Sequence, residues 1–191
     1  MKKLVFLAAI AVFGLTLSQA QTSFGVKAGA NFASLNGDDA DDVDGQTTIH
    51  IGGVANIGIT EFISVQPELL YSRQGFKDDD FDITVFLDYI TVPIMADFKV
   101  TEGLSLQGGP QIGFNINSII EDDDSGGEED LDNVEGLDLG LGLGAQYRLP
   151  MGLFFQARYV AGLSNVFEDI EGESVEAKNA VVSVSVGWFF N

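Results

Sequence analysis

The sequence predicts an all-β fold, an eight-stranded antiparallel up-and-down barrel that spans a membrane. Three observations predict it. Large apolar residues alternate at period two with small or polar ones through most of the chain, the connections alternate short and long, and the N-terminus carries an export leader.

The leader comes first. Lys2 and Lys3 precede an apolar to weakly polar run from Leu4 to Leu17, and Ser18-Gln19-Ala20 puts small residues three positions and one position before a cut after Ala20. This is the pattern of a cleavable signal peptide, and the run is too short for the ~20 residues of a spanning helix. Residues 1–20 are therefore expected to be the signal peptide and residues 21–191 one barrel domain. At 191 residues and 46% hydrophobic content, nothing marks a second domain. The absence of cysteine rules out a lipidated cysteine anchor, disulfides and thiolate metal sites. With 29 acidic against 9 basic residues and a net charge of −20, no nucleic-acid partner is expected, because phosphate binding needs clustered Lys and Arg.

Eight strands are read from Phe24 to Leu35, Thr48 to Ile59, Ile63 to Gly75, Ile83 to Lys99, Leu104 to Asn117, Gly136 to Arg148, Leu153 to Asn165, and Lys178 to Phe190. Most suit the ~9–11 residues that a tilted membrane strand needs. Three connections are tight turns, at Thr60-Glu61-Phe62, Thr101-Glu102-Gly103 and Leu149-Pro150-Met151-Gly152. The other four are long and acidic, around residues 36–47, 76–82, 118–135 and 166–177, and they hold most of the acids. Up-and-down connectivity gathers the turns at one end and these loops at the other, which is expected to be the outside.

Alternation is cleanest in the last three strands. Leu137, Leu139, Leu141, Leu143, Ala145 and Tyr147 alternate with Asp138, Gly140, Gly142, Gly144, Gln146 and Arg148; Val182, Val184, Val186, Trp188 and Phe190 alternate with Ser183, Ser185, Gly187 and Phe189. A soluble lipocalin-like barrel would alternate too, and it is the alternative reading. Eight stripes of large apolar side chains overfill so narrow an interior, whereas Gly, Ser, Asn and Gln fit it. The apolar face is thus expected outside, against lipid. Phe24, Phe62, Phe98, Tyr147, Trp188 and Phe190 near the turns, and Phe32, Tyr71, Phe86 and Phe114 near the loops, read as interfacial girdles.

Several segments resemble the PorT-like outer-membrane β-barrel domain family of Gram-negative bacteria. They are Phe24-Gly25-Val26-Lys27-Ala28-Gly29-Ala30-Asn31-Phe32, Val65-Gln66-Pro67-Glu68-Leu69-Leu70-Tyr71-Ser72, Tyr89-Ile90-Thr91-Val92-Pro93, Gly108-Gly109-Pro110-Gln111-Ile112-Gly113 and Ala157-Arg158-Tyr159-Val160-Ala161-Gly162-Leu163. The resemblance runs in order along nearly the whole mature chain and implies an outer-membrane barrel, an encounter with the barrel assembly machinery and, for some members, an association with protein secretion across the envelope. One departure is the ending Phe189-Phe190-Asn191, which makes the terminal aromatic penultimate.

The charges on the lumen side of the alternation are Lys27, Glu68, Asp97, Lys99, Asp138, Arg148 and Arg158, four positive and three negative. Charges in a narrow lumen persist when paired and hydrogen-bonded. Glu68 and Arg158 fall at similar heights on opposite strands, which predicts a cross-lumen ion pair that plugs the barrel. The runs Glu121-Asp122-Asp123-Asp124 and Glu128-Glu129-Asp130 offer hard oxygen ligands but lack the spacing of a calcium loop, so weak divalent-cation binding is the most they promise. The single histidine, His50, reads as a polar rim residue with no serine and carboxylate placed beside it. No cofactor motif is present, and the chain is expected not to be an enzyme. Outer-membrane lipid and an envelope or extracellular protein are the expected partners.

Overall fold

Side chains of a strand alternate between two faces, so a sheet of such strands has one apolar and one polar surface and closes when its first strand pairs with its last. The computed structural model describes residues 22–37, 43–78, 82–122, 127–131, 133–167 and 176–190. The strands are β1 (Thr22–Asn36), β2 (Asp44–Gly58), β3 (Ile63–Asp78), β4 (Ile83–Lys99), β5 (Leu104–Asp122), β6 (Glu128–Asp130), β7 (Leu137–Arg148), β8 (Leu153–Gly162) and β9 (Lys178–Phe190). All pairings are antiparallel, and eight of the nine strands form a closed wall in which β1 pairs with both β2 and β9. The proposed signal peptide lies outside the described residues.

Register fixes the tilt of the wall. Following paired residues once round the barrel from Thr22 leads through Ile57, Val65, Ala96, Gly108, Leu143, Tyr159 and Val182 back to β1 at Phe32, a shear of ten residues. For eight strands that shear inclines them by roughly 40°.

The turns explain how neighbours stay in register. Gly103 (φ 84°) and Gly152 (φ 96°) take left-handed conformations that a Cβ would oppose. In the first turn the Thr60 hydroxyl accepts from the amides of Phe62 (3.2 Å) and Ile63 (3.0 Å).

At the loop end the wall rises above the predicted strand limits. β2 starts at Asp44 instead of Thr48, β3 ends at Asp78 instead of Gly75, and β5 ends at Asp122 instead of Asn117. β6, read from sequence as loop, folds back on β5 with Glu128 opposite Glu121 and Asp130 opposite Ile119. Several acids assigned to loops therefore stand on strands; outside the membrane a ladder tolerates acidic side chains so long as they point into water. Conversely β8 ends at Gly162, short of Asn165.

The outer face is greasy throughout the middle of the wall. Leu143 is 62% exposed and Leu69 60%, whereas Gln66 and Met95 on the inner face are fully buried. This arrangement disfavours the lipocalin-like alternative, which needs the apolar side within. Phe24, Phe62, Phe98, Tyr147, Trp188 and Phe190 stand exposed near the turns, and Phe32 and Phe114 nearer the loops. From Phe98 to Asp88 on β4, ten residues at ~3.3 Å and a ~40° tilt span about 25 Å, the height of the apolar band of a membrane barrel.

Candidate functional site

The lumen gathers buried charged side chains, and its contents change with height. Toward the turns, Phe154 and Phe189 are fully buried and pack with Val54, ring centroids 4.7 Å apart. Gly187 makes the space, since a Cβ there would meet the Phe154 ring. Beside them an open polar cavity of about 580 Å³ faces the turn end, lined by Asp97, Lys99, Gln146 and Arg148 among others.

At mid-height Glu68 is the centre of a buried triad. Arg158 grips it with two bonds, Nη1 to Oε2 at 2.9 Å and Nη2 to Oε1 at 2.7 Å, and Lys27 Nζ lies 2.8 Å from Oε2. Arg158 can cross the lumen because the inner face of neighbouring β7 presents Gly140, Gly142 and Gly144 in a row. Four glutamines complete the layer. Gln66 Nε2 donates to Glu68 Oε1 (2.9 Å), Lys27 donates to Gln156 Oε1 (2.6 Å), and Gln107 Oε1 accepts from both Arg158 Nη2 (3.0 Å) and Gln156 (2.8 Å). Gln146 Oε1 accepts from Gln156 at 3.2 Å. Such saturation is what makes charge tolerable in a low-dielectric interior.

The remaining lumen charges stand apart from the triad. Asp97 joins it only through Gln107, whose Nε2 donates at 3.0 Å. Asp138 is buried nearer the loops, where Asn179 donates to it at 3.1 Å. Arg148 stacks over Phe189 (4.4 Å to the ring centroid) and donates to Ser23 at 3.4 Å. Lys99 is exposed at the cavity mouth. Lys99 thus has the lumen parity predicted for it but sits below the network, because β4 ends there and its side chain reaches water.

His50 departs from its expected place at the rim. It is 3% exposed, with Nδ1 2.8 Å from Asn31 Oδ1 and Nε2 2.8 Å from Ser185 Oγ. The upward extension of β2 to Asp44 is the reason: a residue read as near the strand end is well inside the wall.

Two arrangements were missed by the sequence reading. Above Asp138 an apolar cluster of Leu35, Phe76, Val85, Leu87, Tyr89, Val166 and Ala177 fills the loop end, with Val134 and Phe167 bridged over it and Phe167 edge-on to Phe76 (6.3 Å). On the outer face, Arg73 binds Asp88 through Nε (2.7 Å) and Nη2 (2.9 Å), Tyr71 donates to the same carboxylate (2.7 Å), and Arg73 lies over Phe86 at 5.2 Å. Arg73 and Asp88 are neighbours only across the β3–β4 pairing, beside the register shift at Asp88/Tyr89. A cross-strand signal was available, but the alternation rule assigns that face to apolar residues.

Among the described residues no three histidine or acidic groups gather as a metal site. Asp123 and Asp124 of the acidic run lie outside the described residues, as do Asp38, Asp39, Asp41, Asp42, Asp79, Asp80, Asp132, Glu168, Asp169, Glu171 and Glu173.

Known proteins share this architecture. Ail, the attachment invasion locus protein of Yersinia pestis, is similar over 88% of this chain and 98% of its own, at 17% identity and a TM-score of 0.56. Neisserial surface protein A is similar over 88% and 99%, at 16% identity and a TM-score of 0.63. At such identities the likeness speaks for the fold alone. No curated protein matches the chain. The outer membrane protein beta-barrel domain model matches residues 18–168. With its greasy outer wall, the protein is a barrel of the outer membrane, and the chain belongs to the outer membrane protein beta-barrel domain family.

Proposed function

We propose that the protein is a non-enzymatic structural or interaction barrel whose lumen is closed and whose acidic loops meet an envelope or extracellular protein. The observation that carries this reading is the filling of the lumen. The triad and its glutamines occupy mid-height, Phe154 and Phe189 pack below, and the apolar cluster lies above. Eight strands leave room for their own side chains and little else, so transport through the wall is disfavoured and the surface beyond the membrane is left to act. Among the described residues the charge there is mostly acidic, as at Glu121, Asp122 and Glu128-Glu129-Asp130, with Lys77 and Lys178 among them. The resemblance to PorT-like barrels makes protein secretion across the envelope the process to test first.

Two measurements test the reading. The refolded barrel in planar bilayers should show no sustained conductance; a stable open channel would overturn the closed lumen. In cells lacking the protein, a variant with Glu128, Glu129 and Asp130 changed to Gln, Gln and Asn should assemble normally, shown by its altered gel mobility before heating. It should fail to restore secretion that the natural chain restores. Full restoration would remove this surface from the function.

A further inference from the structure

A small cavity of about 20 Å³ lies against the triad, with Lys27, Gln74, Thr91 and Arg158 in its lining. A single water needs roughly 10–15 Å³ of such space, so the cavity holds one small particle with a little to spare. Three buried polar atoms of its lining residues have no hydrogen-bond partner among the described residues: Arg158 Nε, Thr91 Oγ1 and Gln74 Oε1. Orphaned atoms of this kind are uncommon and point to something bound.

Charge says what. Lys27 and Arg158 share a single carboxylate, Glu68, all three at most 4% exposed, so the layer carries one positive charge in excess. Asp97 is separated from it by Gln107, and Asp138 is held by Asn179. Burying an uncompensated charge is costly, and a water would satisfy the donors without neutralising it. We propose that the cavity is a binding site for one small monatomic anion such as chloride, held by the Arg158 Nε–H and the Thr91 hydroxyl beside the surplus charge. Gln74 becomes a third donor when its amide is turned to present Nε2, an assignment that the hydrogen-bond network decides. His50, also on the lining, has both nitrogens engaged by Asn31 and Ser185 and does not compete. Sulfate and phosphate are too large for the space.

The test refolds the mature barrel in detergent in sodium chloride, sodium bromide or sodium gluconate at equal ionic strength and follows heat-induced loss of the fast-migrating form. At a halide concentration ten times the dissociation constant, the midpoint should be about 4 °C higher than in gluconate. The shift should vanish in Lys27→Met, which removes the surplus charge and leaves the Glu68–Arg158 pair, and should shrink in Thr91→Val, which keeps the charges. Crystals grown in bromide should show an anomalous peak beside Arg158 Nε. Equal midpoints in chloride and gluconate would overturn the site and leave a water there. So would an undiminished shift in both variants, which would place the halide effect on the surface, and so would a bromide map with no peak in the cavity.

Discussion

Two carboxylate–guanidinium pairs among the described residues have like distances, one inside the barrel and one outside. Arg158 meets Glu68 at 2.7 Å with side chains 2% and 0% exposed, and Arg73 meets Asp88 at 2.7 Å with side chains 35% and 7% exposed. Their distances alike, they differ in what replaces the pair when it breaks. In the lumen the orphaned charge is left to neighbouring glutamines and one small cavity, whereas at the outer belt bulk water reaches Arg73, and Tyr71 and Phe86 remain. Solvation, rather than contact length, sets how much each pair matters.

Three substitutions would break or sharpen that contrast. Glu68→Gln leaves Lys27 and Arg158 facing each other without a counter-charge, and should cost about 3–5 kcal/mol, read from urea unfolding of the refolded barrel. Conductance should stay absent, since the aromatic and apolar layers remain. A stable variant that conducts would show that the triad is a gate and no structural plug. Leu143→Lys places a new charge on the lipid side, near mid-height of the wall. Its expected cost in bilayers is about 2–3 kcal/mol. An effect near zero would mean that this face does not meet hydrocarbon. Asp88→Asn should cost only about 1 kcal/mol, with the loss smaller at high salt, measured by the same unfolding curve. A cost matching that of Glu68→Gln would show that the outer pair is as desolvated as the inner one.

The fold was legible because the wall repeats one simple rule. Leu137 to Tyr147 and Val182 to Phe190 announce their outer faces at every second position, and the three tight turns divide the chain unambiguously. Legibility fails where that rule gives out. Phe154 and Phe189 fall on the small and polar side of the alternation, yet nothing in the sequence shows that two rings stack together inside the lumen. Glu121, Asp122 and β6 were hidden because acidity resembles loop, although a ladder needs only backbone. In the candidate site, Glu68 and Arg158 were found through opposite charge at similar heights on opposite strands. Gln66, Gln107, Gln146 and Gln156 were visible as a polar set, but which of them touch the triad depends on the shear that brings distant strands to one height.

The seam between β1 and β9 has a consequence for how the molecule comes into being. Phe24 pairs with Phe190, and the ladder continues to Asn36 opposite Lys178, so the closing contacts join the two ends of the chain. Contacts of such sequence separation are the slowest to form, because the intervening loop must be ordered first. Until they form, β1 and β9 each expose a row of unpaired amides and carbonyls, the kind of edge that recruits other chains. Closure is therefore the committing step of assembly. A defect at Gly25 or Gly187, both of which leave no room for a Cβ at the seam, would be felt first as aggregation during biogenesis and only afterwards as lost stability.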